Sequence, residues 1–199
     1  MQGRQLTRTE LDDARRRVVE VAMALVQEEG REACTLRRVA AEAEMSRSTP
    51  YSYFADKEAL IDAVRAAALH RLSDRCEAAV AAADDLGGRV GALGQAYLDF
   101  AFTQTSLYDL IFESHSAGPE HQAAAARYRR LAAGPLGEAE AAGMSTLPAE
   151  RLGGVLWAAT HGLIALRRAG KVDEESFERL LADMREVLAF GFVPRSEAA

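Results

Sequence analysis

The 199-residue chain is poor in several things at once. It has two cysteines, Cys34 and Cys76, with no CxxC spacing and no histidine partners nearby, which argues against both a disulfide framework and a zinc site. Reduced, partly buried thiols are the expectation. Val, Ile and Thr are sparse and rarely alternate, whereas forty residues are alanine, so strand patterns are missing and helix propensity is high almost throughout. An all-α fold follows. No apolar run reaches the ~18 to 20 residues of a membrane span, and no N-terminal segment joins a basic start to an apolar core and a cleavage site. A soluble, cytoplasmic protein with no membrane partner is expected.

Signatures of chemistry are also missing. There is no GxSxG, P-loop, GxGxxG or HExxH, and the four histidines, His70, His115, His121 and His161, show no ligand spacing. Ser114-His115-Ser116 is no nucleophile and base pair, because sequence neighbours project from different faces of a helix. The expectation is therefore no catalytic residues, no metal and no cofactor. The formal charge of −6 speaks against nucleic acid at first. Its distribution matters more: residues 1 to 60 hold ten Lys+Arg against eleven Asp+Glu, and the rest hold fourteen against nineteen. Charge alone neither requires nor forbids a DNA partner.

What is present is a run of helix signals. Leu11, Ala14, Val18, Val21, Ala22 and Leu25 keep one face of a first helix apolar, with Gly30 as its stop. Thr35 is placed to cap a short helix "LRRVAAEA" in which Leu36, Val39, Ala40 and Ala43 face inward and Arg37 and Arg38 outward. Asp56 is a strong cap for a long helix beginning "KEALIDAVRAAALHRL". That helix is predicted to reach about residue 82, with Asp84, Asp85, Gly87 and Gly88 as a break. Further helices are expected near 89 to 104, 107 to 115, 119 to 142, 148 to 169 and 173 to 192, about nine in all.

Between the two N-terminal caps lies "SRSTPYSYF", residues 46 to 54, with a proline among hydroxyls, an arginine and three aromatics. Two short helices joined by a tight turn and braced by a longer one make a helix-turn-helix, whose second helix offers its first turns to the major groove. With Ser46 as cap, Pro50 falls in the first turn and removes one helical hydrogen bond at most; with Ser48 as cap it removes none. Arg47 can reach a guanine edge or a phosphate. Ser48, Thr49 and Ser52 can donate to phosphate or base acceptors, and Tyr51 and Tyr53 can donate to the backbone. Thr35 and Lys57 stand at helix N-termini that favour phosphate, and Arg37 joins this DNA-binding set. Phe54 is expected to plug a small core with Leu36, Val39 and Leu60. Tyr51→Ala and Lys57→Ala are each expected to weaken operator binding by roughly 1 to 3 kcal/mol, and Arg65→Ala to do little to it.

These residues resemble the TetR (tetracycline-repressor-like) family of transcriptional regulators. The resemblance rests on Thr35, Val39-Ala40, Ser46, Thr49, Tyr51, Phe54 and Lys57-Glu58-Ala59-Leu60, over about residues 10 to 60. Two departures stand out: Glu44 at a turn position usually held by a small residue, and Pro50 where the family commonly has Leu, Ile or Val. A non-glycine at such a turn costs on the order of 1 kcal/mol if φ is positive. Trp157, His161 and Gly162 resemble the Trp-x-x-x-His-Gly signature of one TetR subgroup. The resemblance implies a DNA-binding domain over 1–60 and a ligand-binding and dimerisation domain over 61–199. It further implies a homodimer joined through the last two helices, a palindromic double-stranded operator and a small-molecule effector that releases a repressor from it.

The second half supports parts of this independently. Leu152, Val155, Leu156, Ala159, Leu163 and Leu166 share one face, and Phe177, Leu180, Leu181, Met184, Val187 and Leu188 share another, while Gly153, Gly154 and Gly162 leave room for close helix approach. Leu156, Leu163, Leu181, Met184 and Leu188 are taken as dimer contacts. Tyr97, Phe100, Gln104, Tyr108, Phe112 and His115, with Trp157 and His161, form the expected effector-binding set, apolar with a few polar anchors. The rival reading is a helical small-molecule carrier or enzyme with no DNA function. It would need a catalytic constellation between residues 97 and 161, and none with a defining spacing is written there.

Overall fold

The computed structural model describes residues 8–113, 118–145 and 147–191, with side chains described from residue 9 to residue 186. Eight α-helices and no strand occur among them: α1 (Arg8–Glu29), α2 (Leu36–Glu42), α3 (Lys57–Ala81), α4 (Leu86–Thr103), α5 (Thr105–Phe112), α6 (Pro119–Ala141), α7 (Ala149–Arg168) and α8 (Glu174–Gly191). Two 3-10 helices, Arg31–Ala33 and Pro50–Ser52, complete the helical content. The ninth helix expected from the sequence is thus the second of these, not an α-helix.

The helix boundaries have local causes. The Thr35 hydroxyl accepts the Arg38 amide at 3.2 Å and starts α2. Asp56 accepts the Ala59 amide at 2.8 Å and starts α3, and Asp173 does the same for Ser176 at 2.8 Å before α8. Asp85 accepts the Gly88 amide at 2.7 Å, so Gly87 and Gly88 lie in the first turn of α4 and are not the expected break. A capping carboxylate satisfies the first-turn amides there, which outweighs the low helix propensity of glycine.

Three helices end in one hydrogen-bond pattern. After α6, the Gly143 and Met144 amides reach the Glu140 and Ala139 carbonyls at 3.0 and 2.9 Å; after α7, Gly170 and Lys171 reach Arg167 and Leu166 at 3.1 and 3.0 Å. After α2, Glu44 and Met45 reach Ala41 and Ala40 at 3.1 and 2.9 Å. These are Schellman ends, with the pivot residue in the left-handed region. Gly143 and Gly170 adopt φ of 71° and 65° without strain, but Glu44 adopts φ 55° with a Cβ.

The chain forms two compact units, residues 1–72 with 102–128, and residues 73–101 with 129–199. In the first, α1 packs on α2 and α5 around Val18, Ala22, Val26, Leu36, Val39, Phe54, Leu60 and Leu107, all buried. Cys34 is buried there, and burial pushes its thiol up to about 11. In the second, α7 packs on α8 over a core that includes Leu152, Leu163, Ile164, Phe177 and Leu181. Cys76 is buried in this unit, its thiol pushed up to about 12 by desolvation.

Candidate nucleic-acid interface

The reading stretch begins where the Glu44 turn redirects the chain out of α2. The Ser46 carbonyl accepts the Thr49 amide at 3.0 Å, Thr49 accepts Ser52 at 3.0 Å, and the Pro50 carbonyl accepts both Tyr53 and Phe54 at 3.0 Å. All but the last are three-residue closures. Pro50 explains the first of them: an α-turn would need an amide at position 50 for the Ser46 carbonyl, and proline has none. The element is therefore tighter than the α-helix expected, and no side chain caps the 3-10 helix. The Ser46 hydroxyl lies 3.1 Å from the Ser48 hydroxyl and 2.7 Å from that of Thr49.

This geometry sorts the predicted DNA-binding residues. Arg47, Ser48 and Ser52 are exposed, and Tyr51 is 58 % exposed, large for an aromatic side chain. Thr49 and Tyr53 are half-buried. Phe54 anchors the stretch from beneath: it is 3 % exposed, and the Arg15 guanidinium lies 4.9 Å from its ring centroid. Arg37 projects from the exposed face of α2, and Thr35 is exposed with its hydroxyl engaged as a cap.

Lys57 opens α3 as expected, but its ammonium is held by Glu32 at 2.9 Å. The same ammonium holds the Glu32 carboxyl below the usual carboxylate range, chiefly by that hydrogen bond. Arg38 is gripped by both oxygens of Glu29 at 2.6 Å each, and Arg31 by Glu58 at 2.8 and 2.9 Å and by Glu113 at 2.9 Å. Arg65 has a structural role that the expectation about operator binding did not address. It is 3 % exposed, donating to the Leu110 carbonyl at 3.1 Å and to Glu113 at 3.2 Å. A buried guanidinium cannot be removed harmlessly, because Glu113 would lose a partner and the cavity would remain. Sequence reasoning missed Arg31, Glu32 and Glu113, whose partners lie 25 to 82 positions away.

The expected effector set is divided between the two units. In the second unit, the Trp157 indole N–H donates to the Tyr97 hydroxyl at 3.1 Å, and the Trp157 and His161 rings lie 5.7 Å apart. Trp157 is 50 % exposed while Tyr97 is buried. Phe100, fully buried in the same unit, faces the Arg75 guanidinium at 5.7 Å. In the first unit, Tyr108 and Phe112 pair at 4.9 Å and Gln104 accepts from Arg71 at 3.4 Å. His115 lies outside the described residues. No group of three potential metal ligands occurs among the described residues.

The predicted dimer contacts differ in exposure within the second unit. Leu163 and Leu181 are buried inside the second unit, Leu156 and Met184 are half-buried, and the Leu188 side chain lies outside the described part. Val155, Trp157, Leu166 and Leu180 are the large apolar side chains left exposed on α7 and α8 among the described residues. Gly154 and Gly162 open to empty space, whereas a Cβ on Gly153 would sit 3.2 Å from Leu136.

A Thr-capped short helix, a Schellman turn and an exposed polar 3-10 element make the first unit a helix-turn-helix reader, which defines a DNA-binding transcription regulator. The comparisons agree. Residues 18–64 match the model described as "Bacterial regulatory proteins, tetR family", and residues 90–184 match "Tetracyclin repressor-like, C-terminal domain". The two models together span most of the chain, which belongs to the tetR family, a family of non-enzymatic regulators. A protein of unknown function from Rhodococcus sp. RHA1 is 27 % identical with a TM-score of 0.81, over 91 % of this chain and 96 % of that one. The fold is shared by a putative TetR-family regulator from Vibrio parahaemolyticus, 19 % identical with a TM-score of 0.69 over 92 % of this chain and 100 % of that one. It is shared too by a putative regulator from Saccharomonospora viridis solved with choline, 20 % identical with a TM-score of 0.72 over the same shares. No curated protein matches the chain.

Proposed function

We propose that this regulator is a cytoplasmic repressor that binds a palindromic operator as a homodimer and leaves it when a small molecule binds. The observation that carries the reading is the exposed run of Arg47, Ser48, Tyr51 and Ser52 above buried Phe54. In this reading residues 1–60 form the DNA-binding domain, with Thr35, Arg37, Thr49, Tyr53 and Lys57 gripping the phosphates around that run. Residues 61–199 bind the effector and the second copy. Val155, Leu166 and Leu180 with open Gly154 and Gly162 support a dimer face on α7 and α8, because exposed apolar side chains beside small residues suit close helix packing. Two copies supply the two heads that half-sites one helical turn apart demand.

Tyr97, Trp157 and His161 are the proposed effector contacts, with Trp157 offering an exposed indole face. Their spacing fits the Trp-x-x-x-His-Gly subgroup. Choline, present in the Saccharomonospora viridis relative, is the first ligand to titrate, since aromatic faces attract quaternary ammonium groups. The effector acts only through different affinities for the DNA-bound and free states. Electrophoretic shift of DNA flanking the protein's own gene, at several salt concentrations, tests the reading. Retarded complexes that weaken with salt are expected; no duplex binding at low salt contradicts it.

A further inference from the structure

Between residues 28 and 58 the interface carries five cations and seven carboxylates. That is an unusual balance for a surface whose affinity comes largely from phosphates. The structure shows where the carboxylates go. Arg31, Arg38 and Lys57 are each paired within the protein, while Arg37 and Arg47 carry no ion pair among the described residues. The cation at the N-terminus of α3, where the helix dipole would otherwise steer a phosphate, is engaged by Glu32.

We propose that Glu32 is an internal stand-in for a DNA phosphate: it occupies the Lys57 ammonium in the free protein and must be displaced when duplex binds. The inference rests on the reading of Lys57 as a phosphate contact. Three observations fit it. Glu32 sits in the 3-10 helix Arg31–Ala33, its side chain is 89 % exposed, and its carboxylate is held chiefly by the Lys57 hydrogen bond, with a weaker coulombic pull from Arg31. The Lys57 side chain is 31 % exposed, within reach of an incoming ligand. The pair is single and exposed, hence weak enough to exchange, since such pairs are worth at most about a factor of five. Lysine also keeps a flexible stem and a point charge that can move from one oxygen to another.

The exchange has a salt signature. A new lysine–phosphate contact releases about 0.9 condensed cation from the duplex. The carboxylate freed at Glu32 regains a counterion atmosphere, so the contact adds little to the net release. Glu32 thereby lowers sequence-independent binding and leaves base contacts a larger share of the affinity.

The test uses four full-length proteins, wild type, Glu32→Gln, Lys57→Ala and the double variant, titrated by fluorescence anisotropy into a random-sequence duplex over a salt series. Glu32→Gln should tighten binding about 3-fold at low salt. It should also steepen the log-affinity against log-salt slope by about 0.9. Lys57→Ala should change wild-type binding by less than about twofold, and the double variant should match Lys57→Ala alone. An equal gain from Glu32→Gln with and without Lys57 would show simple repulsion and overturn the proposal. If the four proteins bind alike while Arg47→Ala weakens binding, the reading head stands and the Lys57 contact falls. If none binds duplex, the DNA reading falls with it.

Discussion

The reading head and the outer face of α7 are both exposed, yet they are exposed in opposite ways. Around residues 46–57 the surface offers hydroxyls, a guanidinium and a phenol over a buried phenylalanine, with nearby cations already tied to carboxylates. On α7 it offers Val155 and Leu166 beside open glycines. A surface of the first kind suits a polyanion, and under the exchange proposed above binds it by swapping partners. One of the second kind gains by excluding water against a matching copy. On the proposed reading, the difference assigns the two units to different classes of partner.

The sharpest way to break the contrast is to give the α7 face the character of the other. Leu166→Glu should leave the protomer folded and the dimer dissociated, and operator affinity should fall by about 1,000-fold because the second head no longer binds intramolecularly. Sedimentation velocity beside an operator titration checks both. Arg65→Ala should lower unfolding stability by about 3 kcal/mol, measured by urea denaturation, because it leaves a buried cavity, removes the donor to the Leu110 carbonyl and takes from Glu113 one of its two arginine partners. Tyr51→Ala should cost about 2 kcal/mol of operator binding and leave stability unchanged. Loss of stability there would mean the phenol supports the fold instead of the DNA. The smallest effect concerns the turn: Glu44→Gly should raise stability by about 1 kcal/mol by relieving the left-handed backbone, whereas Gly143→Ala and Gly170→Ala should lower it by a similar amount.

Much of the first unit was legible because its determinants are local. Thr35 and Asp56 cap the helices the spacing assigned to them, Glu44 adopts the positive φ its turn position implied, and Phe54 is buried. Pro50 stands at a helix start as expected, but the helix is a 3-10 turn without the side-chain cap expected from Ser46 or Ser48. Its missing amide does more than was expected, closing the turn at three residues. What the sequence hid is long-range. Arg65 carries no mark of burial, since Glu113 and Leu110 arrive from the C-terminal end of α5. The Lys57–Glu32 pair joins the start of α3 to a 3-10 helix 25 positions earlier, with no periodic signal. On α7, apolar residues occur all round much of the helix. Only packing reveals that Leu152 and Leu163 face inward and that Val155 and Leu166 do not.

The central claim is that two copies of this head read one sequence together. Selection of bound duplexes from a random-sequence pool tests it most directly. The account predicts enrichment of an inverted repeat with half-sites about one helical turn apart. Enrichment of no sequence, or of a lone unrepeated site, would contradict it.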